Sequence, residues 1–235
     1  MSEQSVFDMY EILLNSEDGK KTCGTCRTEC QKLDGPISIW QVGNEFGNSK
    51  YKVMFVGKTA RGTPGDFIQD GRSVLDATDR GDELYLDPVK KGAYWSYTKE
   101  ICDKVEGENS WGKIAFSNIV KCNNSNANDT ATQEMKEHCI IENRIILKEI
   151  EIVDPDSIIF YTGCDYDQQI DKMFADNFIK NGNKTERQIG SKLVPWWEFV
   201  VNLNGHNVRC LRTGHPERKK KTDFVNGVAE FIMSV

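Results

Sequence analysis

The order of its apolar segments constrains this chain more than any other feature. Four short and nearly continuous apolar runs, at residues 51–56, 114–119, 157–161 and 208–211, alternate with stretches whose apolar residues recur at helical spacing. A strand covered on both faces carries such a run instead of an apolar–polar alternation, and strands separated by helices pair in parallel through crossover connections. The helical patterns lie at 95–105, at 132–153 with Ile145, Ile146, Ile150 and Val153 on one face, at 165–180 and at 223–233. This pattern predicts an α/β fold, a three-layer α/β/α sandwich around a small, mostly parallel four-stranded sheet. The prediction is one domain over residues 1–235, in which an N-terminal helix at 3–15 and a cysteine-rich loop fill the first 50 residues. The polar stretch 123–132 reads as an exposed loop.

Ligands of such sheets bind beyond the carboxyl ends of the strands, so chemistry is sought in the residues that follow each run. Those residues are Gly57-Lys58-Thr59-Ala60-Arg61-Gly62, then Asn118 to Cys122, then Gly163-Cys164, then Thr213-Gly214-His215-Pro216. Glycine after the first strand lets backbone N–H groups approach a base edge or a phosphate. It is also an ordinary turn residue. His215 is held in a tight turn between Gly214 and Pro216, which aims its ring, although a lone histidine is more often a surface residue. The loop at Gly57 is not a Walker A string, because the earlier glycine is missing and Tyr51 and Lys52 stand upstream.

Composition narrows the partners. The formal net charge is -6, which argues against a protein that coats nucleic acid generally, but one face can still be cationic. The segment 209–221 carries Arg209, Arg212, Arg218, Lys219, Lys220 and Lys221 against a single acid, Glu217. No window approaches the roughly 18 consecutive apolar residues of a membrane span, and the N-terminus has neither a basic stretch nor a small-residue cleavage site. The expectation is a soluble, cytoplasmic protein with no membrane partner.

Eight cysteines without an export signal point away from structural disulfides, since the cytosol keeps thiols reduced. Metal ligation is the better reading for part of the set. Cys23 and Cys26 form a Cys-x2-Cys pair able to share one metal, and Cys122 and Cys139 form a later pair. A four-cysteine set suits zinc as well as an iron-sulfur cluster. Cys30 either replaces Cys26 or packs, and Cys102, Cys164 and Cys210 read as core thiols.

Taken together, the strand from Val53 through Gly57 to Gly62, the string Asn118-Ile119-Val120-Lys121-Cys122, the cysteine spacing and the Gly214-His215-Pro216 turn resemble the uracil-DNA glycosylase superfamily, most closely its iron-sulfur branch. The resemblance spans residues 20–233. It implies a DNA glycosylase that hydrolyses the N-glycosidic bond of a flipped base and acts on DNA as a monomer. His215 stabilises the base anion, Asn118 contacts the base, and Arg212, Arg218 and Lys219 hold phosphates. Cys23, Cys26, Cys122 and Cys139 hold a 4Fe-4S cluster, with zinc as the alternative, in a structural role.

Two motifs depart from the family. Its acidic first strand end is replaced by Gly57-Lys58-Thr59-Ala60-Arg61, and the string that supplies its uracil-stacking aromatic reads Gly71-Arg72-Ser73-Val74 here. The pocket is therefore roomier, formed by Gly57, Lys58, Thr59, Arg61, Asp66 and Asp76, with Asp66, Asp70 or Asp76 near the water. The expected substrate is a bulky modified pyrimidine of the kind phages use, which suggests a defence role. The alternatives are an inactive DNA-binding module of the same fold and an unrelated nucleotide-binding α/β protein.

Overall fold

The computed structural model describes residues 3–30, 41–59, 93–107, 110–122 and 131–234. Helices α1 (Glu3–Asn15) and α2 (Glu17–Glu29) precede strands β1 (Gln41–Val42) and β2 (Val53–Thr59), followed by α3 (Ala93–Glu106) and β3 (Ile114–Val120). Helix α4 (Gln133–Lys136) runs into a π-helical turn (Glu137–Glu142) and then α5 (Ile145–Val153), β4 (Ser157–Phe160) and α6 (Asp167–Met173). Strands β5 (Phe178–Ile189), β6 (Lys192–Leu203) and β7 (His206–Thr213) and helix α7 (Lys221–Met233) complete the chain.

The strands form one mixed sheet in the order β1-β3-β2-β4-β7-β6-β5. Its centre, β3-β2-β4-β7, is the expected parallel set. Alternate residues of these strands enter two cores. Met54, Val56, Ala115, Ile158 and Cys210 pack with α1, α5 and α6, while Val53, Phe55, Phe116, Ile159 and Leu211 pack with α3 and α7. Burial on both faces is what makes the runs continuous, and each fully buried large side chain contributes about 1.5–3 kcal/mol.

Expectations need correction in three regions, the first of which, the sheet and the segment leading into its hairpin, holds two of them. The sheet has seven strands instead of four, because β1 pairs antiparallel with β3 and the β5–β6 hairpin adds antiparallel to β7. Strand β5 is largely exposed, so no core face imposes an alternation on its sequence. The helix expected over 165–180 stops at Met173, where Phe174 caps it and Asn177 binds the Asn202 carbonyl of β6. Pro195 is tolerated in β6 because the pairing with β7 begins one residue later, at Trp196 opposite Thr213.

The second region is the cysteine-rich loop, which is helix α2 from Glu17 onward. Ser16 caps it by accepting the Gly19 N–H at 3.1 Å, and Glu17 and Asp18 oppose the helix dipole in the first turn. The third is the long helix over 132–153, which breaks where Arg144 takes a left-handed conformation at φ 50°.

A buried polar knot joins the sheet to this helical layer. The Lys121 ammonium, 3% exposed, lies 2.6 Å from the Glu149 carboxylate, which also accepts the hydroxyls of Ser117 and Tyr10. Both carboxylate oxygens and the ammonium thus have hydrogen-bond partners, and removing either charge costs about 3–5 kcal/mol by stranding the other.

Candidate functional site

Strands β2 and β3 run in parallel with Gly57 opposite Asn118, both near the carboxyl edge of the sheet. A Cβ at Gly57 would collide with the Asn118 Oδ1 and come within 3.4 Å of the Tyr94 hydroxyl. Glycine is required here by close approach, since it leaves room for the carboxamide. Tyr94 stands in the first turn of α3, and its ring meets Tyr161 edge-on at 5.5 Å. Burial pushes its phenol above the ordinary tyrosine range and keeps it neutral.

The other face of Tyr94 meets His215, with ring centroids 5.4 Å apart and planes inclined by 29°. His215 Nδ1 accepts the Glu217 N–H at 3.2 Å, which leaves Nε2 to carry the proton of a neutral ring. Asn118 of β3 and His215 after β7 are separated in the sheet by β2 and β4; Tyr94 stacks on His215, and its hydroxyl borders the same glycine, Gly57, that makes room for the Asn118 carboxamide. Both groups stand at the carboxyl rim of the sheet, Asn118 near the end of β3 and His215 just beyond β7. Tyr94 itself was not foreseen. Its signal was the aromatic cluster at the start of α3, one residue before the predicted helix began.

The other expected pocket residues divide. Lys58 Nζ lies 3.9 Å from the Asp165 carboxylate, and the Thr59 hydroxyl lies 3.2 Å from that of Tyr166. Both thus face the turn after β4 at the same edge of the sheet. Arg61, Asp66, Asp70, Asp76 and the segment Gly71-Arg72-Ser73-Val74 lie outside the described residues.

The three expected phosphate contacts also divide. Arg212 is 1% exposed and forms an ion pair with Asp167 at N–O separations of 2.8 and 2.7 Å. Its guanidinium braces α6 against β7, which corrects its assignment to DNA. Burial outweighs the nearby guanidinium and raises the Asp167 carboxyl above the usual range. Lys219 is half-buried and folds back to donate to the His215 carbonyl. Arg218 is exposed, on a left-handed backbone at φ 63°.

At a second place, Cys23, Cys26, Cys122 and Cys139 line one small cavity of about 30 Å³ together with Tyr10, Arg27, Lys121 and His138. Cys23 and Cys26 come from successive turns of α2, Cys122 follows β3, and Cys139 stands in the π-helical turn. Burial raises all four thiols. Cys26 is pushed up to about 12, helped by Cys30, Cys139 and Cys23, and Cys139 reaches about 11 against the opposing Lys121. Burial also raises Cys122, with Cys139, Cys23 and Cys26 adding to it, and raises Cys23 against the pull of Arg27 and a hydrogen bond from Asn143.

The four thiols share one cavity and burial keeps them protonated, while among the described residues no three or more ligating side chains are arranged as they stand to hold a metal ion. Arg27 and Lys121 also border the cavity, the latter with its ammonium paired to Glu149. Cys30 is not in the lining. Its Sγ lies 3.9 Å from that of Cys26 and 3.5 Å from the Thr132 hydroxyl. Cys102 and Cys210 are core thiols as expected, whereas Cys164 is exposed because it opens the turn after β4.

No protein-family model matches the chain, and no curated protein is similar to it in sequence. Among the described residues no helix is long and apolar enough to cross a membrane.

Proposed function

We propose that this chain is a DNA glycosylase of the uracil-DNA glycosylase type, which hydrolyses the N-glycosidic bond of a flipped, bulky modified pyrimidine. The observation that carries the reading is the placement of Asn118 and His215 at the carboxyl rim of one sheet, with Tyr94 stacked on the imidazole and its hydroxyl bordering Gly57 opposite Asn118. Breaking the bond builds negative charge on the departing base and positive charge on the sugar. The Nε2–H of His215 donates to the base as that charge grows, and its proton stays fixed because Nδ1 is occupied by a backbone N–H. The Asn118 carboxamide offers one donor and one acceptor to the base edge.

Tyr94 gives the site an aromatic ring that supports the imidazole from beside it. Lys58 and Thr59, at the neighbouring strand end, suit a polar substituent on the base. Base extrusion costs a few kcal/mol, and Arg218 is presented to a phosphate that helps to offset it. Cys23, Cys26, Cys122 and Cys139 would hold a 4Fe-4S cluster or zinc, which supplies a structural clamp between α2 and the end of β3. Release of phage-type bases gives the protein a defence role.

The test incubates the purified protein with oligonucleotides carrying uracil, hydroxymethylcytosine or glycosylated hydroxymethylcytosine. We expect release of the bulkiest base and its loss in His215→Ala by about 10²–10³-fold, with DNA binding retained. Release of none of the three, or full activity in the variant, overturns the reading.

A further inference from the structure

The proposed excision leaves one nucleophile of the site unused. Lys219 does not extend into solvent as its neighbours Arg218 and Lys220 do. Its Nζ donates to the His215 carbonyl and would lie 3.4 Å from a Cβ on Gly214, while its ring contact is Phe224 at 5.7 Å. Its own carbonyl accepts the Tyr97 hydroxyl of α3 at 2.8 Å. The amine is therefore held against the same turn that carries the imidazole, at the carboxyl edge of the sheet.

We propose that Lys219 is a covalent catalyst of strand cleavage, its amine condensing with the aldehyde of an abasic deoxyribose in DNA. The proposal rests on the reading of the chain as a protein that acts on DNA, and adds a lyase step to base removal. An aldehyde on the sugar is the chemistry that an amine beside His215 would meet once the base has left.

The surroundings suit a nucleophile. Burial lowers the ammonium to about 8, and Lys192 of β6 and Lys58 of β2 add to the effect while Glu217 opposes it. His215 meets the amine through its backbone carbonyl, while Tyr97 of α3 donates its hydroxyl to the Lys219 backbone carbonyl, and neither brings an opposite charge. Roughly a quarter of such amines are neutral at pH 7.5, against about a thousandth for an ordinary lysine. Only the neutral amine attacks a carbonyl.

The step balances. Nζ adds to C1′ of the ring-opened sugar, the carbonyl oxygen leaves as water, and a protonated imine remains. Loss of a C2′ proton to solvent then forms the C2′–C3′ double bond as the C3′–O bond breaks and the 3′ phosphate departs. Water hydrolyses the imine and returns the amine.

The experiment treats the full chain with an oligonucleotide containing a preformed abasic site in the presence of sodium borohydride, which reduces the imine to a stable adduct. We expect an adduct that maps to Lys219, falls at least tenfold in both Lys219→Arg and Lys219→Met, and forms faster as pH rises from 7 to 9. An adduct at another residue, equal trapping in the arginine variant, or no adduct with the wild type overturns the proposal. Because the abasic site is supplied, the two readings separate. Adduct formation without release of any base leaves the lyase standing and removes the glycosylase, whereas base release without an adduct does the reverse.

Discussion

Single side chains decide what this site can do, and Tyr94 is the clearest case. Its ring lies against His215 and its hydroxyl faces the Gly57–Asn118 pair, so one substitution series separates two roles. If the ring is what matters, Tyr94→Phe keeps base release near the wild-type rate. Tyr94→Ala then forfeits an aromatic contact of about 0.5–1.5 kcal/mol, which slows release by up to about tenfold. Single-turnover kinetics on the excised substrate decides this, and equal impairment of the two variants would assign the effect to the hydroxyl. Lys219 gives a second prediction. Its charged form is disfavoured in the folded chain, so the penalty is fully present below about pH 8 and fades as pH rises toward the unfolded value of about 10.4. Urea midpoints measured between pH 7 and 10 should therefore rise for the wild type relative to Lys219→Met. A constant difference would mean that the amine is not shielded.

At the scale of elements, the central strands were legible because burial on both faces writes itself as an unbroken apolar run. The strand ends were legible for the same reason, since polarity resumes where cover ends. The β5–β6 hairpin was not, because β5 is exposed along most of its length and its polar residues carry no period. Helix α2 was hidden by its content: glycine, threonine and cysteine are poor helix formers, and the helix owes its start to the Ser16 cap. Its recognition changes the reading of the cysteines. One helical turn places Cys23 and Cys26 on a common face toward Cys122 and Cys139, and Cys30 falls at the helix end beside Thr132. Metal analysis of anaerobically purified protein should therefore show the bound metal lost in Cys26→Ser and Cys122→Ser, with a lower Tm, and kept in Cys30→Ser. Retention in Cys26→Ser with loss in Cys30→Ser would exchange their roles.

Across the whole molecule, charge and burial together set how DNA would be held on the proposed reading. A chain of net charge -6 cannot rely on a diffuse cationic surface, so the proposed hold on phosphates would depend on a few placed residues. Sequence alone treats Arg212 and Arg218 as equivalent members of one basic run. The fold separates them, because alternation along β7 turns Arg212 into the layer beneath the sheet, where Asp167 takes its charge, while Arg218 falls in the exposed turn beyond the strand. Their substitutions should then differ in kind. Arg218→Ala lowers the slope of log K against log salt for DNA binding by about one and leaves the unfolding midpoint nearly unchanged. Arg212→Ala leaves that slope as it was and lowers stability by about 3–5 kcal/mol, because the half-buried Asp167 loses its guanidinium. A salt slope that falls with Arg212 and not with Arg218 would mean that the ion pair beneath the sheet opens when DNA binds.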